Sequence, residues 1–200
     1  MDRRGFFKSL GKKAVNTAVK SADNHVSKRA ANWIRPPYAL TELDFLIACT
    51  RCDDCVKACP HQVIFKLPAR LGAQVAGTPA LDLTNKACQL CEDWPCVNAC
   101  EDKALVLPEP DDNESQIPTP KLARVTIDVE SCLPYNGPEC GACAGSCPVP
   151  GALTWDMTRP VVDMTLCTGC GLCRQACIMD PSAIFVESLH QPAPSLNEST

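Results

Sequence analysis

Sixteen cysteines dominate the chemistry available to this 200-residue chain, and they fall into four groups of four with none left over. The first and fourth groups have the spacing C-x2-C-x2-C-x3-C, the second has C-x2-C-x4-C-x3-C, and the third begins with a gap of seven residues. Thiols at this density require either a disulfide framework or metal ligation. We call the groups the first to fourth motifs; their members are Cys49, Cys52, Cys55 and Cys59; Cys88, Cys91, Cys96 and Cys100; Cys132, Cys140, Cys143 and Cys147; and Cys167, Cys170, Cys173 and Cys177.

The spacing of the motifs favours [4Fe–4S] clusters, each of which needs four thiolates around one cubane. Three cysteines at short spacing wrap a loop around one cluster, whereas the fourth points away and ligates the neighbouring cluster in two-cluster ferredoxins. This exchange predicts four ligand sets and four clusters. The predicted sets are Cys49, Cys52, Cys55 and Cys100; Cys88, Cys91, Cys96 and Cys59; Cys132, Cys140, Cys143 and Cys177; and Cys167, Cys170, Cys173 and Cys147.

Structural zinc and disulfide bonds are the alternative uses of these cysteines. Zinc sites made only of cysteine also contain C-x2-C pairs, but they use two separated pairs and not an unbroken run of four. A disulfide framework is disfavoured because cysteines repeated two residues apart would have very many possible pairings. Zinc therefore stays as the weaker alternative, and disulfides as the weakest.

Short apolar runs flank the motifs and predict the elements that position the cysteines. Each repeat reads as a strand, a ligand loop, a short helix and a second strand. Gly169 and Gly171 permit tight backbone turns in the fourth ligand loop. The predicted strand runs are residues 80–83, 125–128 and 161–164 before the cysteines, and residues 63–65, 104–107, 152–155 and 183–186 after them.

A proline- and acid-rich stretch, residues 108–120, separates the first two motifs from the last two and has the composition of a linker. The sequence therefore predicts an α+β fold of two tandem bacterial-ferredoxin-like domains, each binding two [4Fe–4S] clusters. These domains are residues 40–107 and 121–190. A basic amphipathic N-terminal segment, residues 1–35, and a flexible tail, residues 191–200, are predicted to flank them.

The net charge of −4 hides an asymmetry along the chain. Residues 1–35 carry nine Lys and Arg against two Asp, a net +7, whereas residues 36–200 carry ten against twenty-one acids, a net −11. An acidic body repels phosphate, which argues against nucleic acid as a partner. No run approaches eighteen uninterrupted apolar residues, so no transmembrane helix is predicted. Because there is neither a phosphate-binding loop nor a Ser-His-Asp arrangement, the sequence indicates no substrate site of its own.

Two segments resemble the NapF-type four-cluster ferredoxins, which are accessory iron–sulfur proteins of periplasmic nitrate reductase systems and are related to bacterial 2[4Fe–4S] ferredoxins. They are residues 34–37 leading into the first motif, and residues 132–140 with the lengthened third motif. The second motif departs from this pattern, since residues 88–96 resemble iron–sulfur subunits that serve molybdopterin oxidoreductases. The resemblance implies electron transfer in the cytoplasm, with a molybdoenzyme catalytic subunit as the redox partner. A maturation factor for such a subunit, and a fixed electron-wire subunit of another respiratory complex, stay open as alternatives.

The N-terminal segment carries signals that bear on location. Arg3 and Arg4 form a twin-arginine motif, which directs folded cofactor proteins to the periplasm. Lys12, Lys13 and Lys20 interrupt the apolar stretch that an export signal needs, so a cytoplasmic location is favoured over export. The same segment has apolar residues at helical spacing and predicts a basic amphipathic helix that docks on a membrane surface or a partner, with a solvated helix as the alternative.

Overall fold

The computed structural model describes residue 30 and residues 32–109 and 117–191. The predictions made for residues 1–29, 110–116 and 192–200 lie outside these described residues. They concern the basic amphipathic helix with its paired arginines, the centre of the linker and the tail.

The described residues form short helices and short strands around the four motifs. The helices are α1 (Glu42–Ala48), α2 (Asp54–Ala58), α3 (Pro95–Asn98) and α4 (Leu172–Ala176), with 3-10 helices at Ala69–Leu71 and Leu133–Tyr135. The strands are β1 (Ile64–Lys66), β2 (Pro79–Leu81), β3 (Ala123–Ile127), β4 (Leu153–Asp156), β5 (Arg159–Val162) and β6 (Ile184–Ser188). This mixture confirms the α+β class. No helix in these ranges is long and apolar enough to cross a lipid bilayer.

Both halves of the chain use the same antiparallel pairing. β1 pairs with β2 in the first half and β4 pairs with β5 in the second, so the strand after one motif meets the strand before the next. β3 pairs with β6 across the second half. The corresponding contact in the first half is a single bridge between Ala39 and Leu105. Each half therefore folds back on itself and brings two motifs side by side.

Two local predictions differ from the structure. The run at residues 104–107 makes only the bridge to Ala39, because Tyr38 beside it has a φ of +56° and the partner chain is not extended there. The third motif has turns at residues 142–145 where a short helix was predicted, because Gly145 has a φ of +73° and leaves the right-handed helical region.

A hydrophobic core runs through both halves of the described chain. Phe45 and Leu105 contribute to it from the first half, and Val125 and Ile184 from the second. The packing also begins before residue 40, since residues 33 and 34 are only 6% and 7% exposed and residue 34 bridges to β2. The two halves thus share apolar packing in addition to their separate sheets.

A buried ion pair fixes α1, the helix that leads into the first motif. The guanidinium of Arg35 donates two hydrogen bonds to the Glu42 carboxylate, from Nε at 2.9 Å and from Nη2 at 2.6 Å. The Arg35 and Glu42 side chains are 9% and 1% exposed. Trp33 Nε1 donates to the same carboxylate at 3.1 Å, and Arg35 Nη1 donates to Thr78 Oγ1 at 2.8 Å. The network ties residues 33–42 to the start of β2.

We expect Glu42→Gln to lower the thermal midpoint of the loaded protein by roughly 10 °C, because a buried guanidinium loses its counter-charge at a cost of about 3 kcal/mol. Anaerobic thermal unfolding followed by circular dichroism measures this. Asp44→Asn on the same helix is the matched control, since Asp44 is exposed. The amide oxygen of the substituted asparagine can still accept the hydrogen bond from the Thr41 hydroxyl. Equal midpoints for the two variants would contradict a structural role for the ion pair.

Candidate metal centres

Three of the four motifs share one loop shape. In the first, second and fourth motifs, the residue before the second cysteine and the residue two positions before the third cysteine both have positive φ. These residues are Arg51 and Asp53, Leu90 and Trp94, and Gly169 and Gly171, with φ between +45° and +84°. The predicted turns at the two glycines are confirmed. The other four residues hold a conformation that costs L-residues on the order of 1 kcal/mol each, which is typical of ligand loops.

Each of these loops runs directly into a short helix. α2 contains Cys55 and ends before Cys59, and α4 contains Cys173 and ends before Cys177. Residues four apart lie about one helical turn from each other. A single turn of helix therefore separates the third cysteine of a motif from the fourth.

Three cavities are each lined by four cysteines drawn from two motifs. In every case, three cysteines come from one motif and one is the fourth cysteine of the other motif in the same half. The first cavity is lined by Cys49, Cys52, Cys55 and Cys100; the second by Cys88, Cys91, Cys96 and Cys59; and the third by Cys167, Cys170, Cys173 and Cys147.

The remaining four cysteines are also neighbours. Burial raises the pKa of Cys143, and the nearby Cys132, Cys140 and Cys177 raise this pKa further. Cys177 and Cys140 likewise act, after burial, to raise the pKa of Cys132. The fourth cysteine of the last motif is thus placed beside the third motif.

Burial is the main influence on the pKa of four of the thiols. It raises the pKa of Cys55, Cys96 and Cys173 to about 12 and that of Cys88 to about 11, and neighbouring cysteines push each of these pKa values in the same direction. Without a cation between them, these groups are neutral thiols at neutral pH. A metal centre would supply the positive charge that makes the thiolates favourable.

Cys177 is an exception. Burial acts to raise its pKa, but hydrogen bonds from the Ser182 side chain and from the backbone of Met179 and Ala183, together with the charge of Arg174, leave the pKa of this thiol lowered. This last cysteine therefore reaches its thiolate form more readily than the buried thiols.

Cations stand close to some of the cysteines. Burial leaves the pKa of Cys49 raised, although a backbone hydrogen bond and the nearby charges of Arg35 and Arg51 act to lower this pKa. The Arg51 side chain is held in place because Nε donates to the Ala76 carbonyl and Nη2 to the Gln74 carbonyl, both at 2.9 Å. The first cavity therefore has fixed positive charge at its edge.

An aspartate turn introduces three of the four ligand loops. Asp82, Asp128 and Asp163 each accept hydrogen bonds from a Ser or Thr hydroxyl two or three residues further on. The backbone N–H of Cys132 and that of Cys167 also donate to the carbonyls of Asp128 and Asp163. The sequence analysis missed these turns, although an Asp followed by Ser or Thr before each of these three motifs is a visible signal.

All sixteen cysteines are free thiols, and every one of them lies in the described part of the chain. Within these residues, no three His, Cys, Asp or Glu side chains converge tightly enough to chelate one metal ion. Twelve of the cysteines instead line the three cavities.

Several known proteins are similar to this chain. Residues 160–180, around the fourth motif, match the family described as a 4Fe-4S binding domain. The chain is 35% identical to the methylamine utilization ferredoxin-type protein MauM of Methylobacillus flagellatus, over 92% of this chain and 83% of that protein. It is 34% identical to the ferredoxin-type protein NapG of Haemophilus influenzae, over 92% and 71%. It is 32% identical to the ferredoxin-type protein NapF of Escherichia coli, over 82% and 90%. No solved structure matches significantly.

The chain belongs to this family of ferredoxin-type proteins. The family resemblance inferred from the first and third motifs is therefore confirmed. As a member of the family, the chain is an iron–sulfur electron-transfer protein that binds [4Fe–4S], and its α+β fold is ferredoxin-like.

We expect Arg51→Gln to lower one cluster midpoint potential by on the order of tens of millivolts, because removing a cation near a cluster disfavours the more negative reduced state. A redox titration followed by electron paramagnetic resonance (EPR) measures this. Arg51→Lys keeps the charge and should restore most of the potential, and Arg70→Gln, at an exposed position, should leave all midpoints unchanged. A full shift in Arg51→Lys would mean that the guanidinium acts by anchoring the loop and not by its charge.

Proposed function

We propose that this chain carries electrons through four [4Fe–4S] clusters, one at each of four sites. A site is numbered by the motif that contributes three of its ligands. Site 1 is Cys49, Cys52, Cys55 and Cys100; site 2 is Cys88, Cys91, Cys96 and Cys59; site 3 is Cys132, Cys140, Cys143 and Cys177; and site 4 is Cys167, Cys170, Cys173 and Cys147.

The observation that carries the proposal is the lining of the cavities by four thiols from two motifs. Thiolates are the ligands that [4Fe–4S] clusters require, and four of them complete the coordination of one cubane. When bound, such a cluster takes up and releases a single electron. The two domains proposed at residues 40–107 and 121–190 would then each hold a pair of sites.

The chain also supplies hydrogen bonds that tune the ligands. The backbone N–H of Gly169 donates to Cys167 Sγ at 3.4 Å, and that of Leu105 donates to Cys100 Sγ at 3.4 Å. Hydrogen bonds to ligand sulfurs spread their negative charge and favour the reduced state. Sites 1 and 4 each gain one such bond from a backbone whose position is fixed by packing.

The partner that fits this function is a redox enzyme, because an electron carrier exchanges electrons with other redox proteins. The net −11 of residues 36–200 favours a basic surface on that partner. We propose a molybdoenzyme catalytic subunit such as periplasmic nitrate reductase, following the resemblance to NapF-type ferredoxins. The MauM relatives, in contrast, are named for methylamine utilization.

The proposed location is the cytoplasm, with association to a membrane or partner through residues 1–35. Export by the twin-arginine route is the alternative, and it rests on Arg3 and Arg4. Cell fractionation of the full chain separates the two, since recovery of the loaded protein in the periplasm would favour export.

We expect anaerobically purified protein to contain about sixteen irons and about sixteen sulfides per chain, because each cubane contributes four of each. Metal and sulfide analysis gives the count, and a redox titration followed by EPR should show four one-electron centres. About eight irons per chain would overturn the four-cluster proposal, and zinc in place of iron would overturn the electron-transfer function. A maturation role would show instead as tight binding to a catalytic precursor with no effect on steady-state electron flow.

A further inference from the structure

The two halves of the molecule meet at the second and fourth motifs. The backbone N–H of Cys88 donates to the carbonyl of Cys170 at 2.9 Å. In the proposed function these residues are ligands of site 2 and site 4. A ligand of one half is therefore joined by a direct backbone hydrogen bond to a ligand of the other half.

Further hydrogen bonds hold the same contact. The backbone N–H of Ala87 donates to Gln175 Oε1 at 3.0 Å, and Arg174 Nε donates to the Thr84 carbonyl at 3.0 Å. In the second half, the two side chains that form these bonds both lie on α4, the helix that carries Cys173. This helix is thus docked on the approach to the second motif.

Gly171 marks how closely the two loops approach. A Cβ atom at this position would lie 3.1 Å from the carbonyl oxygen of Leu83 in the first half. A contact of that length is tighter than nine in ten real Cβ contacts, so a side chain here would force the neighbouring backbone to shift by a few tenths of an ångström. By contrast, a Cβ atom at Gly145 in the third motif would meet nothing within 4 Å.

The first and third motifs make their loop contacts away from this junction. Arg51 binds carbonyls of residues 74 and 76 in the first half. In the third motif, Tyr135 donates through its hydroxyl to the Pro160 carbonyl at 3.0 Å, within the second half. Residues 136–139, in the long gap of the third motif, are all exposed.

We infer that the sites are arranged in the order 1, 2, 4, 3, and that electrons cross between the halves at the contact of Cys88 with Cys170. This inference rests on the proposed four-cluster function. Within each half the two sites are adjacent, because the third and fourth cysteines of one motif belong to different sites and lie only one helical turn apart. Cys55 of site 1 and Cys59 of site 2 are an example. The order along the electron route therefore differs from the order of the motifs along the chain.

The arrangement makes sites 1 and 3 the two ends of the route. Cys52, a ligand of site 1, is exposed, and the exposed residues 136–139 belong to the loop of site 3. Redox partners are therefore expected to exchange electrons at these two ends. Site 4, although last in sequence, is internal.

The test removes one site at a time from the full chain and reads the magnetic coupling between reduced clusters by EPR. Cys140→Ala removes a ligand of site 3, and Cys170→Ala removes a ligand of site 4 while keeping the carbonyl that bonds to Cys88. Each variant should retain about twelve irons, which shows that three clusters are still bound. A variant that retains fewer is replaced by Cys140→Ser or Cys170→Ser and measured in the same way.

In the fully reduced protein, each cluster broadens the signal of its nearest neighbour. We expect Cys170→Ala to leave one unbroadened signal, from site 3, because the neighbour of that site is lost, whereas Cys140→Ala should leave all three signals coupled. The opposite result is an isolated signal only in Cys140→Ala. It would mean that the sites follow the order of the motifs along the chain, 1, 2, 3, 4, and it would overturn the inference. A wild-type count well below sixteen irons would instead overturn the four-cluster function on which the inference rests.

Discussion

The structure depends on gathering four thiols around each cavity at a depth where thiolates are unfavourable. Burial raises the pKa of Cys55, Cys96 and Cys173 to about 12, so without metal these three thiols are uncharged near neutral pH. Iron reverses this preference because its charge stabilises the thiolates that bind it. The described strands are only three to five residues long, so we expect metal binding to contribute to folding.

Repetition accounts for how the thiols are gathered. In each half, the strand after one motif pairs with the strand before the next, and the outer strands close the unit through β3–β6 or through the bridge of Ala39 with Leu105. This pairing brings two motifs together head to tail. The fourth cysteine of each motif is thereby placed beside the first three cysteines of the other motif. A backbone hydrogen bond between Cys88 and Cys170 then joins the pair of motifs in the first half to the pair in the second half.

Local signals in the sequence predicted much of this architecture. The cysteine spacing indicated the ligand loops, and apolar runs predicted the six strands that the described residues form, because both depend on neighbouring residues. The left-handed turns at Leu90 and Trp94 carried no local signal, since glycine is the usual residue there. The Arg35–Glu42 pair joins residues seven apart in the sequence, and the contact between the halves joins residues much further apart, so the cysteine spacing did not indicate either of them. The ligand sets stay a prediction that the cavities support.

The sharing of ligands between paired motifs is the central claim, and iron counts of two double variants test it most directly. If Cys59 serves site 2, Cys59→Ala with Cys91→Ala damages one site and leaves about twelve irons, whereas Cys59→Ala with Cys52→Ala damages two and leaves about eight. If each motif instead held its own cluster, the two counts would be exchanged. That exchange, measured on anaerobically purified protein with matched sulfide analysis, would contradict the account.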